Sequence, residues 1–558
     1  MSTAPASHAE STTTKSNLAR PPEARGRWKI GATLLAIAGL TQALLWTLWW
    51  EDPTHFKMSI LFVWPAAMFS LLVWWTFFSG WSRRVRFGAV GAGVAAVVAF
   101  FSLFRFERFD GDMVPTRIVP VWRPSSDQAA REFIASLPVN EPISAIVATG
   151  DSTPKVAPLM ARDNDWPGYR GADRASVVRE VTLRTDWSAR PPQELWRHPV
   201  GKAWSSFAVI GDMAFTQEQR GNEEAVVAYH LTTGQQLWSH LDPVKFGASD
   251  AQGGTGPRAT PQFDGGLLYT QGATGLLNCL DAATGRVVWS ADILKDAGTP
   301  GSPVPNLGWG TAGSPLVVDQ FVIVVPGGKD GQSVVAYDKQ TGQRIWSSGS
   351  RIASYGSPRV ESLLEEPVVL VPLGDGLAGH ALADGRELWY FPWGNGPQVN
   401  GAQPLKVADN SLLFGCGYGV GTVRIDLVRE KSIWTATQRW HSNRFRPKFN
   451  DFVQRDGYVF GLDDGTLTCV EIETGKVKWK SGRYGYGQLL LVGETLLILS
   501  EDGRVVLVPA TSTRPEETAS FQALNAEDIT WNHPVLVRGK LLVRNAHEAA
   551  CFEVGLGE

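Results

Sequence analysis

The sequence predicts an all-β fold, an eight-bladed β-propeller of four-stranded antiparallel blades, preceded by three transmembrane α-helices. Three observations predict it. Three uncharged apolar runs stand near the N-terminus. A segment that closes on Thr-Gly or Asp-Gly and then Trp recurs at blade-sized intervals. The chain of 558 residues also carries 23 Trp and 58 Gly against only 19% charged residues. Trp placed regularly between Gly-bounded short strands is the composition of a repeated β-architecture. Seven blades is the alternative count.

The apolar runs cover residues 30–50, 58–81 and 87–104. A helix crosses the bilayer core with roughly 20 apolar residues, and about 17 is the lower limit. The first two runs are long enough and the third sits at that limit. The long polar lead-in, and the lack of a small-x-small site after the first run, argue against a cleaved signal peptide. Trp46, Trp49 and Trp50, and again Trp74, Trp75 and Trp81, suit an interfacial aromatic belt. Arg20, Arg25, Arg27 and Lys29 precede the first run, and Arg83, Arg84 and Arg86 separate the second from the third. The first loop has Lys57 against Glu51 and Asp52. Basic loops stay in the cytoplasm, so everything after residue 104 is expected outside. The expected organisation is a cytoplasmic tail (1–28), a membrane anchor (29–104), an extracytoplasmic linker (105–164) and a propeller (165–558).

Within the linker, Ser125 or Ser126 is placed to cap a short helix running to Leu137, with Phe133 and Ile134 on one side. Pro138, Pro142, Pro154 and Pro158 then mark a spacer, which either lifts the propeller off the membrane or packs on its outside.

The repeat reads AYHLTTGQQLW at 228–238, CLDAATGRVVW at 279–289 and AYDKQTGQRIW at 336–346. It returns as GHALADGRELW at 379–389 and CVEIETGKVKW at 469–479. Partial copies lie at Trp196, at Trp434 or Trp440, and at 551–554. The spacing matches a propeller period of roughly 40 to 50 residues. In each copy a strand ends, a Gly turn supplies positive φ, and a second strand leaves with the Trp. That ring packs on the neighbouring blade, because a lone four-stranded sheet cannot bury both faces. The strand around Trp196 is expected to complete the blade begun near Trp531, pinning the chain ends together.

A second register precedes each apolar inner strand: Ser206, Thr260, Ser314, Ser357, Gln403, Asp451, Gln488 and His533. These eight converge at one mouth of the channel, with Trp204, Arg258, Trp309, Tyr355 and Tyr486 around the rim. Converging polar groups with aromatics make a ligand or peptide site. The alternative is that they satisfy one another and trapped water.

Other chemistries lack support. A net charge of −3 gives no footprint for nucleic acid. The four cysteines include no CxxC pair, so zinc ribbons and dithiol redox are set aside. Cys279, Cys469 and Cys551 occupy the slot held elsewhere by Ala228, Ala336 and Gly379, a small-residue position; Cys416 is left open. The stretches at 201–206, 253–256 and 327–328 lack the Lys-Ser/Thr and helix of a phosphate loop. No Ser-His-Asp or HExxH pattern is recognisable. Arg220, Arg258, Arg446, Lys448 and Arg483 would give one rim a basic cast, but they read rather as scattered, solvated charges.

The Asp/Thr-Gly-x-x-x-Trp units resemble the tryptophan-docking repeats of the pyrroloquinoline-quinone (PQQ) propeller superfamily, from about Asp165 to the C-terminus. DWPGYRG at 165–171 also resembles the lead-in of such propellers in large bacterial membrane-linked proteins. That superfamily includes quinoprotein dehydrogenases and the cofactor-free BamB-type outer-membrane assembly propellers. With the topology expected from the three runs and their basic loops, the bacterial resemblance implies a multi-pass protein of the inner membrane with a periplasmic propeller. For a dehydrogenase it implies an Asp base beside a calcium held by Glu, Asn and Asp. Asp451, next to Asn450, is the candidate base; Arg258 or Arg483 would meet the quinone's carboxylates, and Trp204, Trp309 or Trp393 would stack on it. The adjacent Cys pair common in those enzymes is missing, and no acid motif matches as a set. The three spans also lack a His pair suited to haem. The expectation is a binding or scaffolding propeller without catalysis, metal or cofactor. It is anchored in the lipid bilayer by three helices and engages protein or peptide partners. The alternative is a PQQ- and calcium-dependent dehydrogenase delivering electrons to the membrane.

Overall fold

A computed structural model describes residues 28–48, 53–109, 115–123, 126–136, 159–247, 253–299 and 307–557. The expected tail up to residue 27 and the Pro-rich stretch 137–158 lie outside the described residues. The chain divides into two compact units.

The first unit holds three helices: α1 (Trp28–Leu48), α2 (Pro53–Phe78) and α3 (Arg83–Leu103). By length and composition α1 and α3, 21 residues each, can cross a membrane, and α2 carries the shorter apolar stretch Phe62–Phe78. Gly31 of α1 lies so close to the Trp74 ring of α2 that a Cβ there would stand 2.9 Å from it. Gln42 donates to Ser59 Oγ at 2.8 Å across the same pair. Arg86, one of the basic residues that set the expected topology, also closes a helix end. Its guanidinium donates to Thr76 O at 2.8 Å and Phe77 O at 3.2 Å, carbonyls left without partners at the α2 C-terminus.

The second unit is the eight-bladed propeller. The antiparallel blades cover 208–242, 262–292, 316–348, 359–392, 405–442, 453–483 and 488–522. The eighth joins 535–553 to the strand Gln193–Pro199, with Cys551 opposite Trp196. The N-terminal strand thus supplies the outermost strand of the last blade, the clasp expected from the partial copy at Trp196. A further strand, Val177–Val178, pairs in parallel with the innermost strand of blade seven.

The repeat's Trp and Gly meet across blades. Trp196 of blade eight lies on Gly234 of blade one, Trp238 on Gly285, Trp289 on Gly342, Trp346 on Gly385 and Trp440 on Gly475. Each of these glycines has φ between +68° and +74°, and a Cβ added to any of them would stand 2.3 to 2.7 Å from the facing indole. Glycine is therefore required twice, for the turn and for the ring. The indole N–H reaches on to a carbonyl of the same neighbouring blade: Trp196 to Leu231 O at 2.8 Å, Trp238 to Ala282 O at 3.1 Å, Trp289 to Lys339 O and Trp440 to Ile472 O at 3.0 Å. Trp440 is thus the docking residue of blade five. Trp434 sits near the tip of the same hairpin, under Arg429.

The small-residue slot also has a cause. Ala228, Cys279, Ala336, Gly379, Cys469 and Cys551 each pair directly opposite the Trp of their own blade. A Cβ on Gly379 would stand 2.3 Å from Trp389. All four cysteines are buried, and burial pushes each thiol up to about 12. Cys416 lies against Asn395 and Asn400, away from that slot.

A fourth helix, α4 (Ser126–Ser136), packs on the clasp strand. Phe133 stacks on His198 at 4.8 Å, and His198 stacks on Trp196 at 4.8 Å.

Gly342→Ala forces a side chain into positive φ and into the Trp289 ring, so it is expected to cost about 2 to 4 kcal/mol of unfolding free energy. Gly396→Ala, with nothing within 4 Å, is expected to stay within about 0.5 kcal/mol of the parent. Denaturant titration of both variants in detergent checks the difference, and equal effects would sink the docking account.

Candidate functional site

The eight polar residues that precede the inner strands form a closed belt. Ser206 N–H donates to Thr260 Oγ1 at 3.0 Å, Thr260 N–H to Ser314 Oγ at 2.9 Å, and Ser314 N–H to Ser357 Oγ at 2.9 Å. With the Gln403 amide oriented by its neighbours, its oxygen accepts from Ser357 N–H at 2.9 Å. Gln403 N–H donates to Asp451 Oδ1 at 2.7 Å. Gln488 donates to Phe449 O and Trp531 O, bridging the entries of blades six and eight. Ser206 Oγ closes the circle on His533 O at 2.6 Å. A backbone N–H at a strand start lacks a ladder partner, and here the next blade's side chain supplies one.

Beneath the belt, the segment 165–176 enters the channel from the opposite end. Trp166 bridges to Val209 of blade one and Pro167 O accepts from Phe263 of blade two. Arg174, pushed down to about 9 by burial, caps Ser314 O and Pro358 O at 3.3 and 2.7 Å, and also Pro315 O. Arg170 donates to Phe452 O at 3.2 Å and pairs with Asp451 at 3.2 Å. Tyr169 OH and His533 Nε2 both lie 3.1 Å from Asp451 Oδ2. Burial alone would raise the Asp451 carboxyl, but the Arg170 charge and the bonds from His533 and Gln403 N–H outweigh it and hold it below the usual range. Burial, and then the Asp451 charge, push the Tyr169 phenol well up, so it remains a donor.

Above the belt the channel opens as a funnel with a cavity of about 190 Å³. Its walls are aromatic: Trp204, Trp309, Tyr355, Tyr418, Phe449 and Trp531, with Tyr169 at the floor. Trp531 packs against Trp204 at 4.8 Å and Phe449 at 4.9 Å, and Trp309 against Tyr355 at 5.0 Å. The indole N–H groups turn outward, Trp204 to Gly253 O and Trp531 to Glu501. Arg258 stands among the rings, donating to Gly254 O at 2.6 Å and to Gly256 O, with its guanidinium 5.1 Å from the Phe246 ring.

Comparison with known proteins bears on the repeats. A family model described as outer membrane protein assembly factor BamB matches residues 222–481. BamB of Burkholderia pseudomallei (strain K96243) is 26% identical over 314 residues, covering 52% of this chain and 69% of its own. The repeats are BamB-like. Two solved structures are similar to the chain at 14% identity. BamB from Moraxella catarrhalis covers 65% of this chain and 97% of its own, with a TM-score of 0.45. A quinohemoprotein alcohol dehydrogenase from Comamonas testosteroni covers 71% and 82%, with a TM-score of 0.50.

In this BamB-like propeller the predicted residues separate into two layers. Thr260, Ser314, Ser357, Gln488 and His533 reach the funnel. Ser206, Gln403 and Asp451 are buried in the belt and do not line it. Among the rim candidates, Trp204, Arg258, Trp309 and Tyr355 line the cavity. Tyr486 is a correction: it lies behind Phe449, and its OH accepts from Lys448. Arg483 is exposed at the end of an outermost strand, and Trp393 bonds Gly421 O outside the funnel. The reading of Arg220 and Lys448 as solvated charges is overturned too. Arg220 pairs with the fully buried Glu218, and Lys448 is 1% exposed. Phe449, Trp531 and Tyr418 were not among the rim candidates. Trp204, Arg258, Tyr355, Phe449, Tyr486 and Trp531 all stand two residues before a belt position, so that spacing was the available signal for two of them.

Asp451 Oδ1 accepts from Gln403 N–H, Oδ2 faces Tyr169, His533 and Arg170, and the carboxylate is buried in the belt and does not line the funnel. Among the described residues no cluster of three His, Cys, Asp or Glu could hold a metal ion, and Arg258 is the one guanidinium that lines the funnel.

Behind Arg258, Glu224 is buried and its carboxyl accepts from Ala273 N–H at 3.1 Å. Burial pushes it up to about 7 against partial relief from the Arg258 charge. Between about pH 4.5 and 7 the folded chain holds a proton there that the unfolded chain has released, so stability falls as pH rises through that window and is flat above it. Glu224→Gln removes this cost. The variant is expected to exceed the parent by on the order of 2 kcal/mol at pH 8 and to approach it at pH 5. Unfolding midpoints at the two pH values test this, and a pH-independent difference would refute it.

Proposed function

We propose that this chain is a membrane-anchored extracytoplasmic binding or scaffolding module. Three helices hold it in the bacterial inner membrane with the propeller in the periplasm, and the propeller grips a protein or peptide in its funnel without performing chemistry. The observation that carries this reading is the state of Asp451. The acid that a quinoprotein mechanism would need as a base already accepts from Gln403 N–H and Tyr169 and faces Arg170 and His533. Around it, the funnel offers ring faces and few polar groups, the chemistry of an anchor pocket. The assembly-factor relative supports protein partners, and α1 and α3 support membrane attachment.

Calorimetric titration of the full chain in detergent with PQQ and calcium is expected to give no saturable heat. One-to-one binding would make the dehydrogenase the reading instead. For the partner, a photo-crosslinking amino acid at Tyr418 in cells is expected to trap a discrete protein adduct. The same group at Thr233, on an outer turn of blade one, is expected to trap none. Equal capture at both positions would count against the funnel.

A further inference from the structure

We infer that the funnel selects an acidic apolar protein segment, seating one large apolar side chain among the rings and a neighbouring carboxylate on Arg258. This rests on the reading of the funnel as a binding site and adds the chemistry of what enters it.

Size is the first constraint. A cavity of about 190 Å³ falls below the roughly 300 to 1,000 Å³ of pockets that enclose a drug-sized ligand or cofactor. It suits a single anchoring side chain from a larger partner, and the Trp204, Trp531 and Phe449 rings, packed on one another at a tilt, already form the walls of such a socket. The binding surface is then organised before the partner arrives, which limits the ordering cost.

Charge is the second. Among the described residues lining the funnel there is no Asp or Glu, and Arg258 is the one Lys or Arg. Two Arg258 groups donate to Gly254 O and Gly256 O. A guanidinium has five N–H donors in a fork that matches a carboxylate. Behind the wall, Lys448 lies 4.9 Å from the Tyr418 ring and 4.6 Å from the Tyr486 ring, so the chain's own ammonium occupies those ring faces. The carboxylates nearby are engaged elsewhere: Asp451 with Arg170, Glu501 with the Trp531 indole and Glu224 with Ala273 N–H. A cationic ligand would meet two like charges and no available acid, whereas an anionic one meets an oriented, partly desolvated donor.

The test uses the full chain in detergent and four capped tripeptides, Glu-Trp-Glu, Gln-Trp-Gln, Lys-Trp-Lys and Glu-Ala-Glu, titrated by calorimetry. Glu-Trp-Glu is expected to bind about tenfold more tightly than Gln-Trp-Gln, with no saturable binding of Lys-Trp-Lys or Glu-Ala-Glu. Arg258→Gln is expected to level the first two peptides, and Arg258→Lys to keep their order, which separates lost charge from lost fold. Equal binding of all three Trp peptides would overturn the acidic preference while leaving the funnel as a binding site. If no Trp peptide binds the folded chain, both the preference and the funnel reading fall.

Discussion

An indole lying flat on a glycine of the next blade is the contact on which this propeller depends. Five such contacts hold successive blades at one spacing, and the glycine allows it because no Cβ intervenes. Opposite four of these five tryptophans an Ala or Cys sits beneath the ring within its own sheet, whereas Arg424 stands opposite Trp440. Four of the five also carry an indole hydrogen bond into the neighbour. Trp346 docks without one, and its buried N–H has no described partner, so this one indole contact relies on packing alone.

The belt at the channel mouth completes what the outer contacts begin. Trp docking joins blades at their periphery, whereas strand-start N–H groups bonded to the next blade's side chain join them at the hub. The same residues that suggest a ligand site therefore also tie the blades together, and the aromatic walls of the funnel rise from the layer above them. This division explains why Asp451 is prominent in the sequence yet buried in the belt, while Trp531, in an unremarkable turn, forms a wall.

Much of this was legible in the sequence because it is local. The Thr-Gly-x-x-x-Trp spacing marks a turn and its docking ring within eleven residues, and the belt residues each precede an apolar inner strand. What could not be read was set by long-range closure. Tyr169 and Arg170 meet Asp451 across some 280 residues, and nothing near either end of that contact signals the other. Arg483 was misplaced for a related reason. It lies close in sequence to Tyr486, yet it ends an outermost strand while Tyr486 begins the path to an innermost one, so a short turn separates periphery from hub. Blade seven hides its seam differently: its outer strand has no Trp, and Phe521 packs on Trp187 and Phe552 instead.

The clasp bears on how the molecule is made. Gln193–Pro199 emerges during synthesis before any blade, but its partner strand Glu548–Glu553 emerges last. Until then the early strand is an open edge, with unpaired backbone groups and Trp196 carried beside it. Ring closure is thus a late, long-range event that the growing chain must wait for. During that wait, the final hairpin of a second copy offers the same edge-to-edge complement, so escape from strand exchange between copies depends on how fast each chain's own C-terminus arrives.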